Sequence, residues 1–182
     1  MTNEHIHLSK GKNDECYTKR YAVEPLLTYL EPFRDKIIWC PFDKEDSEFV
    51  KVFRENGFDV VYSHIDYGQD FFNYEPDKWD VLISNPPFTG KTEIFKRALS
   101  FQKPFALLMN ILWLNDATPV KVFRQSGRQL QLLLFDKRME FKNQPQGRIN
   151  FMSDYFCCDF LPEQIMFSNF QSGQQQLFGG AI

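Results

Sequence analysis

Apolar residues fall along this chain in two rhythms. Short apolar-rich runs at 36–42, 59–65, 80–84 and 104–114 are bounded by Gly, Pro or charged residues, the pattern of strands buried within a sheet. Between them the spacing turns helical. Phe49, Val52 and Phe53 share one face of a segment over 47–56, with Gly57 at the position where helices end in a left-handed residue. Ala22 to Leu30 reads as a short helix with Pro25 near its start and Leu26, Leu27 and Leu30 on one face. Glu93 to Phe101, with Thr89 as its N-cap, and Pro119 to Ser126, ended by Gly127, are two further helices. Strand, helix and strand at this length form a βαβ unit, which calls for parallel strands and a right-handed crossover. Leu130 to Phe135 and Tyr155 to Phe160 are strand-like and joined through the Asn143 to Gly147 loop, so an antiparallel pair closes the pattern, followed by one more strand at Ile165 to Phe167. The expectation is an α/β fold: a mostly parallel central sheet, a late antiparallel pair, and helices on both faces.

The ends differ from the body. Residues 1–12 are polar and predict a loose arm, 13–170 a single domain, and 171–182 a Gln- and Gly-rich tail. With 43% hydrophobic and 16% aromatic residues among 182, including 20 Phe, the body can bury a sizeable core. A formal charge of −3 provides no global field toward nucleic acid, so any such contact falls to a local patch or a partner. Cys16, Cys40, Cys157 and Cys158 form no Cys-x-x-Cys pair and have no His at metal spacing, which predicts reduced thiols in a cytosolic protein and no metal site. No signal peptide opens the chain, and no apolar run reaches the roughly 18 residues of a membrane helix.

The chemistry concentrates where the third run stops. Asp80-Val81-Leu82-Ile83-Ser84 leads straight into Asn85-Pro86-Pro87-Phe88. Neither proline has an N–H for a sheet ladder and each fixes φ, so the strand must end there, at the carboxyl edge where open α/β sheets bind ligands. The corner suits a planar base with an exocyclic amine. The Asn85 side-chain oxygen can accept one amine hydrogen, the Pro86 carbonyl the other, and Phe88 offers a stacking face. A proline-stopped strand without chemistry also accounts for the tetrapeptide taken alone. Gly90-Lys91-Thr92 has the ending of a phosphate-binding loop, but the upstream glycine is missing, since that position is Asn85.

Asn85-Pro86-Pro87-Phe88 resembles the catalytic motif of S-adenosylmethionine-dependent amino-methyltransferases, chiefly the adenine-N6 DNA enzymes. Together with Ile38-Trp39-Cys40-Pro41-Phe42-Asp43, Ser63-His64-Ile65, Gly68-Gln69-Asp70-Phe71-Phe72 and Tyr155-Phe156-Cys157, in that order over about residues 13–167, it is similar to the small phage-type adenine-specific DNA methyltransferases related to the EcoRI methylase. The resemblance implies a Rossmann-like class I methyltransferase fold, with S-adenosyl-L-methionine across the carboxyl ends of the first strands and the target amine beside Asn85. It implies cofactor contacts from Cys40, Pro41, Phe42 and Asp43 after the first strand, from His64 and Asp66 after the second, and from Asn85 after the third. Asp70 would accept from the cofactor's adenine amine and Phe71 would stack on it; taken alone, Asp70-Phe71-Phe72 reads equally as a turn Asp before two core Phe. Tyr17 and Thr18 read either as a loop and helix cap or as a lid over the cofactor's carboxylate end.

Two departures stand out. The Gly-x-Gly turn usual after the first strand is absent from Cys40 to Asp46, which leaves Asp43 to accept from the methionine amine. The acid usual for the ribose hydroxyls appears as His64, with Asp66 two residues on. The implied partner is adenine-containing DNA, met by Lys91 near the active edge and by Lys137, Arg138, Lys142 and Arg148 around the late loop. A homodimer or a host-protein partner is also compatible. Two other functions remain open: a non-catalytic binding protein on the same fold, and methylation of a glutamine amide in a protein.

Overall fold

The structure, a computed structural model, describes residues 18–139 and 152–168. Seven strands form one sheet: β1 (Ile37–Cys40), β2 (Asp59–Tyr62), β3 (Val81–Ser84), β4 (Phe105–Asn110), β5 (Gln131–Phe135), β6 (Ser153–Cys158) and β7 (Ile165–Ser168). Their order is β2-β1-β3-β4-β6-β5-β7. The first four are mutually parallel, and β6 runs antiparallel to both β4 and β5. β7 adds to the outer side of β5 in parallel. The chain therefore leaves β1 to one side for β2 and returns on the other side for β3. That reversal opens a crevice between the carboxyl ends of β1 and β3, where doubly wound sheets receive ligands. This is a Rossmann-like α/β fold.

Alternation within the strands sorts side chains to two faces. Ile38, Cys40, Val81, Ile83, Ala106, Leu108, Tyr155 and Cys157 meet the N-terminal helical segment and α2 (Glu48–Glu55). Trp39, Leu82, Phe105, Leu107, Met109, Phe156 and Cys158 meet α3 (Lys91–Ser100) and α4 (Thr118–Ser126). The unbroken burial of β3 and β6 follows from being covered on both sides.

Three local readings change. The helix expected over Ala22 to Leu30 is one α-helical turn, α1 (Arg20–Val23), running into a 3₁₀ segment, Glu24–Tyr29. Pro25 lacks the N–H that an α-helix would use once past its first turn. Thr89 does not cap α3; Gly90 does, at φ 72°, a left-handed conformation suited to glycine. The apolar run 104–114 divides into β4 and a 3₁₀ turn, Ile111–Asn115. The late antiparallel pair lies where the pattern put it, with Leu132 opposite Phe156. The calls on residues 1–12, on the Asn143 to Gly147 loop and on 171–182 fall outside the described residues. Among the described residues no helix is long and apolar enough to cross a membrane.

Candidate active site

The crevice is built from strand ends. β3 stops after Ser84, and Asn85 to Phe88 leave the sheet as a partly buried corner, with Pro86 buried. Asn85 Nδ2 donates to Thr18 Oγ1 at 3.1 Å, which ties the corner to the segment just ahead of α1. The bond orients the amide, and Asn85 Oδ1, the acceptor end, is buried and receives no hydrogen bond from the described residues. One residue earlier, Ser84 Oγ donates to Asp43 Oδ2 at 2.5 Å. Asp43 follows β1, so this bond spans the crevice between β1 and β3. Burial pushes the Asp43 carboxyl from 3.8 up to about 6, against the opposing pull of hydrogen bonds from Ser84 and Ser47.

Neighbouring strand ends are joined in the same way. Trp39 Nε1 donates to Ser63 Oγ at 3.0 Å, and Ser63 N to the Cys40 carbonyl at 3.1 Å. Lys44 and Asp66 pair at 2.7 Å between the loops after β1 and β2. His64 Nδ1 accepts from the Asp66 backbone N–H at 3.1 Å and so starts the 3₁₀ turn Ile65–Tyr67. The β1–α2 connection needs no glycine for its path: none of residues 41–47 takes a positive φ.

The side chains singled out from sequence take different places. Asn85, Thr18, Asp43, His64 and Asp66 gather along the carboxyl edge. Cys40 is fully buried, which raises its thiol well above the usual range. Pro41 is buried and Phe42 half-buried. Asp70 closes its own turn: Oδ1 accepts from Phe72 N at 3.1 Å, and Oδ2 from Asn73 Nδ2 at 3.4 Å. Phe71 is 2% exposed, its ring packed by Phe42 at 4.8 Å and Trp39 at 5.6 Å. Its ring is enclosed by core neighbours, the arrangement expected of a turn Asp before two core Phe. Lys91, half-buried, places Nζ 5.9 Å over the Trp113 ring, and Lys137 and Arg138 are exposed beyond β5. Tyr17, Lys142 and Arg148 lie outside the described residues.

Ser63 and Ser84 both stand in the motifs read from sequence, but the partner of neither was named. A signal was present: each hydroxyl falls at the end of a strand, and a buried hydroxyl must find a partner.

S-adenosylmethionine carries an ammonium at its methionine end, ribose hydroxyls and an adenine amine at the other, and the acceptors at this edge suit these groups. Asp43 follows β1, Asp66 and Asp70 both lie in the connection after β2, and Thr18 adds a hydroxyl. No aromatic face of Phe71 is available to its adenine. Among the described residues no cluster of His, Cys, Asp or Glu is arranged to hold a metal ion.

No protein-family model matches the chain. It is similar to the type II methyltransferase M.EcoRI of Escherichia coli, 25% identical over 173 residues, covering 67% of this chain and 52% of that one. Its fold is similar to a solved structure from Vibrio vulnificus described as a restriction-enzyme modification subunit. There the TM-score is 0.52 at 10% identity, over 92% of this chain and 49% of the other. The chain spans about half the length of either protein.

Proposed function

We propose that the chain is an S-adenosylmethionine-dependent methyltransferase domain that acts on the N6 amine of adenine in DNA. The observation that carries the reading is the placement of Asn85-Pro86-Pro87-Phe88 at the β1–β3 crevice, one residue after the Asp43–Ser84 bond. Similarity to a type II methyltransferase of Escherichia coli supports it.

In this reading Asp43 accepts from the methionine ammonium, Asp66 from the ribose hydroxyls, and Asp70 from the adenine amine of the cofactor, which when bound supplies an electrophilic methyl group. Asn85 Oδ1 and the Pro86 carbonyl accept the two hydrogens of the target amine. The adenine nitrogen is a poor nucleophile because its lone pair is delocalised into the ring. Holding both hydrogens favours the tetrahedral nitrogen that exposes the lone pair, and stabilises the positive charge that develops there. Thr18, by engaging Nδ2, keeps Oδ1 as the end that faces the amine. Phe88 stacks on the extruded base, whose unstacking costs a few kcal/mol. No general base is assigned; the proton shed by the methylated, cationic nitrogen passes to water.

A second reading, a binding protein without catalysis, is favoured by one observation: the Phe71 ring is enclosed in the core. Calorimetry with S-adenosylmethionine separates the two. Binding is expected, together with methyl transfer to unmethylated duplex DNA, and Asn85→Ala should retain binding while losing at least about 100-fold in transfer. An Asn85→Ala protein that methylates like the parent would overturn the reading. Transfer to a glutamine-bearing peptide instead of DNA would move the substrate to protein.

A further inference from the structure

The 3₁₀ turn Ile111–Asn115 follows the carboxyl end of β4, the strand next to β3, and so stands beside the Asn85 corner. Its residues divide sharply. Trp113 is 1% exposed, while Leu112 is 50% and Leu114 37% exposed. Val120, in the first turn of α4, is 59% exposed. Apolar side chains thus face water on a projection that is firmly held. The Trp113 ring packs against Phe95 at 4.6 Å and Phe156 at 5.7 Å. Asn110 Oδ1 accepts from Leu112 N at 2.9 Å, and Ile111 N donates to the Met152 carbonyl at 3.0 Å.

The turn is also joined to the corner itself. Lys91, first residue of α3 and three positions after Phe88, places Nζ 5.9 Å from the centre of the buried Trp113 ring. Lys121 is exposed on α4 one residue beyond Val120, and the acid at the end of the turn is Asp116. Two lysines therefore flank an apolar ledge, a composition that suits a surface with an anionic rim and an apolar interior. Duplex DNA is such a surface once its bases are parted. A second strand end lies within reach: β2 is three strand spacings from β4, roughly 14 Å, and carries exposed Ile65 and Tyr67 just beyond it.

Resting on the proposed function, we infer that Leu112 and Leu114 form a DNA-facing ledge that packs against the base stack where the target adenine leaves it. Extruding a base exposes the apolar faces of its neighbours. Two leucines held rigidly at that gap replace part of the lost stacking, while Lys91 and Lys121 meet the adjoining phosphates. The ledge binds no cofactor and touches no reacting atom, so its contribution appears only when the adenine starts out paired.

The test compares wild type with the Leu112→Ser/Leu114→Ser double variant. Each is assayed for methyl transfer on an unmethylated duplex that serves as a substrate of wild type, with the target adenine either paired or opposite an abasic position. Because both leucines are exposed, folding should be retained; the melting temperature and S-adenosylmethionine affinity verify this, and Leu112→Ala/Leu114→Ala is a milder second variant. The expected result is a loss of about tenfold or more on the paired duplex and less than about threefold opposite the abasic position. Equal loss on both substrates, or none on either, overturns the ledge while leaving the methyltransferase reading intact. Unchanged methylation together with loss of a concentration-dependent self-association also overturns it, and assigns the turn to a protein contact. Wild-type protein that methylates no DNA overturns the functional reading, and the ledge with it.

Discussion

Asn85 and Thr18 lie 67 residues apart in sequence and are joined by a 3.1 Å hydrogen bond from the Asn85 amide nitrogen to the Thr18 hydroxyl. An asparagine side chain has a donor end and an acceptor end, and only the acceptor can serve an incoming amine. The bond assigns the ends. Thr18→Val keeps the shape and removes the acceptor, so the amide loses its preferred orientation. A neutral hydrogen bond contributes about 0.5–1.5 kcal/mol, so single-turnover methyl transfer should fall roughly threefold to tenfold. Thr18→Ser should restore it, with little change in melting temperature across the series. Full activity in Thr18→Val would show that Asn85 is oriented by other contacts.

Asp43 makes stability depend on pH in the direction opposite to an ordinary paired carboxylate. Its carboxyl titrates near 6 in the folded chain, because burial disfavours the charge, and near 3.8 when unfolded. Below 3.8 both states hold the proton. Between 3.8 and about 6 only the folded state holds it, so folding stability falls as pH rises through this window, and the loss is complete above it. The span corresponds to on the order of 3 kcal/mol. Asp43→Asn keeps an acceptor for the Ser84 hydroxyl and cannot ionise. Urea unfolding followed from pH 4 to 8 should give a flatter profile for Asp43→Asn and greater stability than the parent at pH 7 to 8. Parallel profiles would remove Asp43 as the source.

Ser63 answers a different buried demand. Its hydroxyl accepts from Trp39 Nε1 at 3.0 Å in a part of the core closed to water. Ser63→Ala leaves the indole N–H without that acceptor, which costs about 1–3 kcal/mol for a buried donor. Chemical denaturation should register the loss, and Ser63→Thr, which retains the hydroxyl, should lie closer to the parent.

How far these features could be read in advance depended on whether the signal was local. The prolines after Ser84 announce the end of β3 because their effect on the backbone is independent of what surrounds them. The β5–β6 pair was visible for a similar reason, since two apolar runs around a Gly- and Pro-containing loop have few other ways to bury themselves. Pro25, read as a residue near a helix start, instead divided the segment into α1 and a 3₁₀ stretch, a choice that depends on which N–H groups the packing leaves exposed. β7 was seen as a strand, but its place outside β5 could not be read from four residues. The Asp43–Ser84 bond was hidden because its members are far apart in sequence and neither belongs to a recognisable pair. Phe71 was ambiguous for the opposite reason: an acid followed by two aromatics looks the same whether the first ring faces a ligand or the core.

Phe71 permits a sharp separation of those two roles. Its ring is enclosed by Trp39, Phe42, Phe72 and Phe101, and the Arg97 guanidinium lies 5.6 Å from its centroid. Phe71→Leu should be tolerated best, because it keeps most of the volume. Phe71→Ala opens a cavity in a packed cluster, and such changes cost about 3–5 kcal/mol. A stacking residue would behave differently: its loss would weaken S-adenosylmethionine binding while leaving the fold near its original stability. Titrating the cofactor into Phe71→Leu, alongside urea unfolding of both variants, distinguishes the cases. The expected outcome is a stability loss graded with the volume removed and cofactor affinity within about threefold of the parent for Phe71→Leu. A tenfold or greater loss of affinity in a variant with unchanged stability would return Phe71 to the binding site.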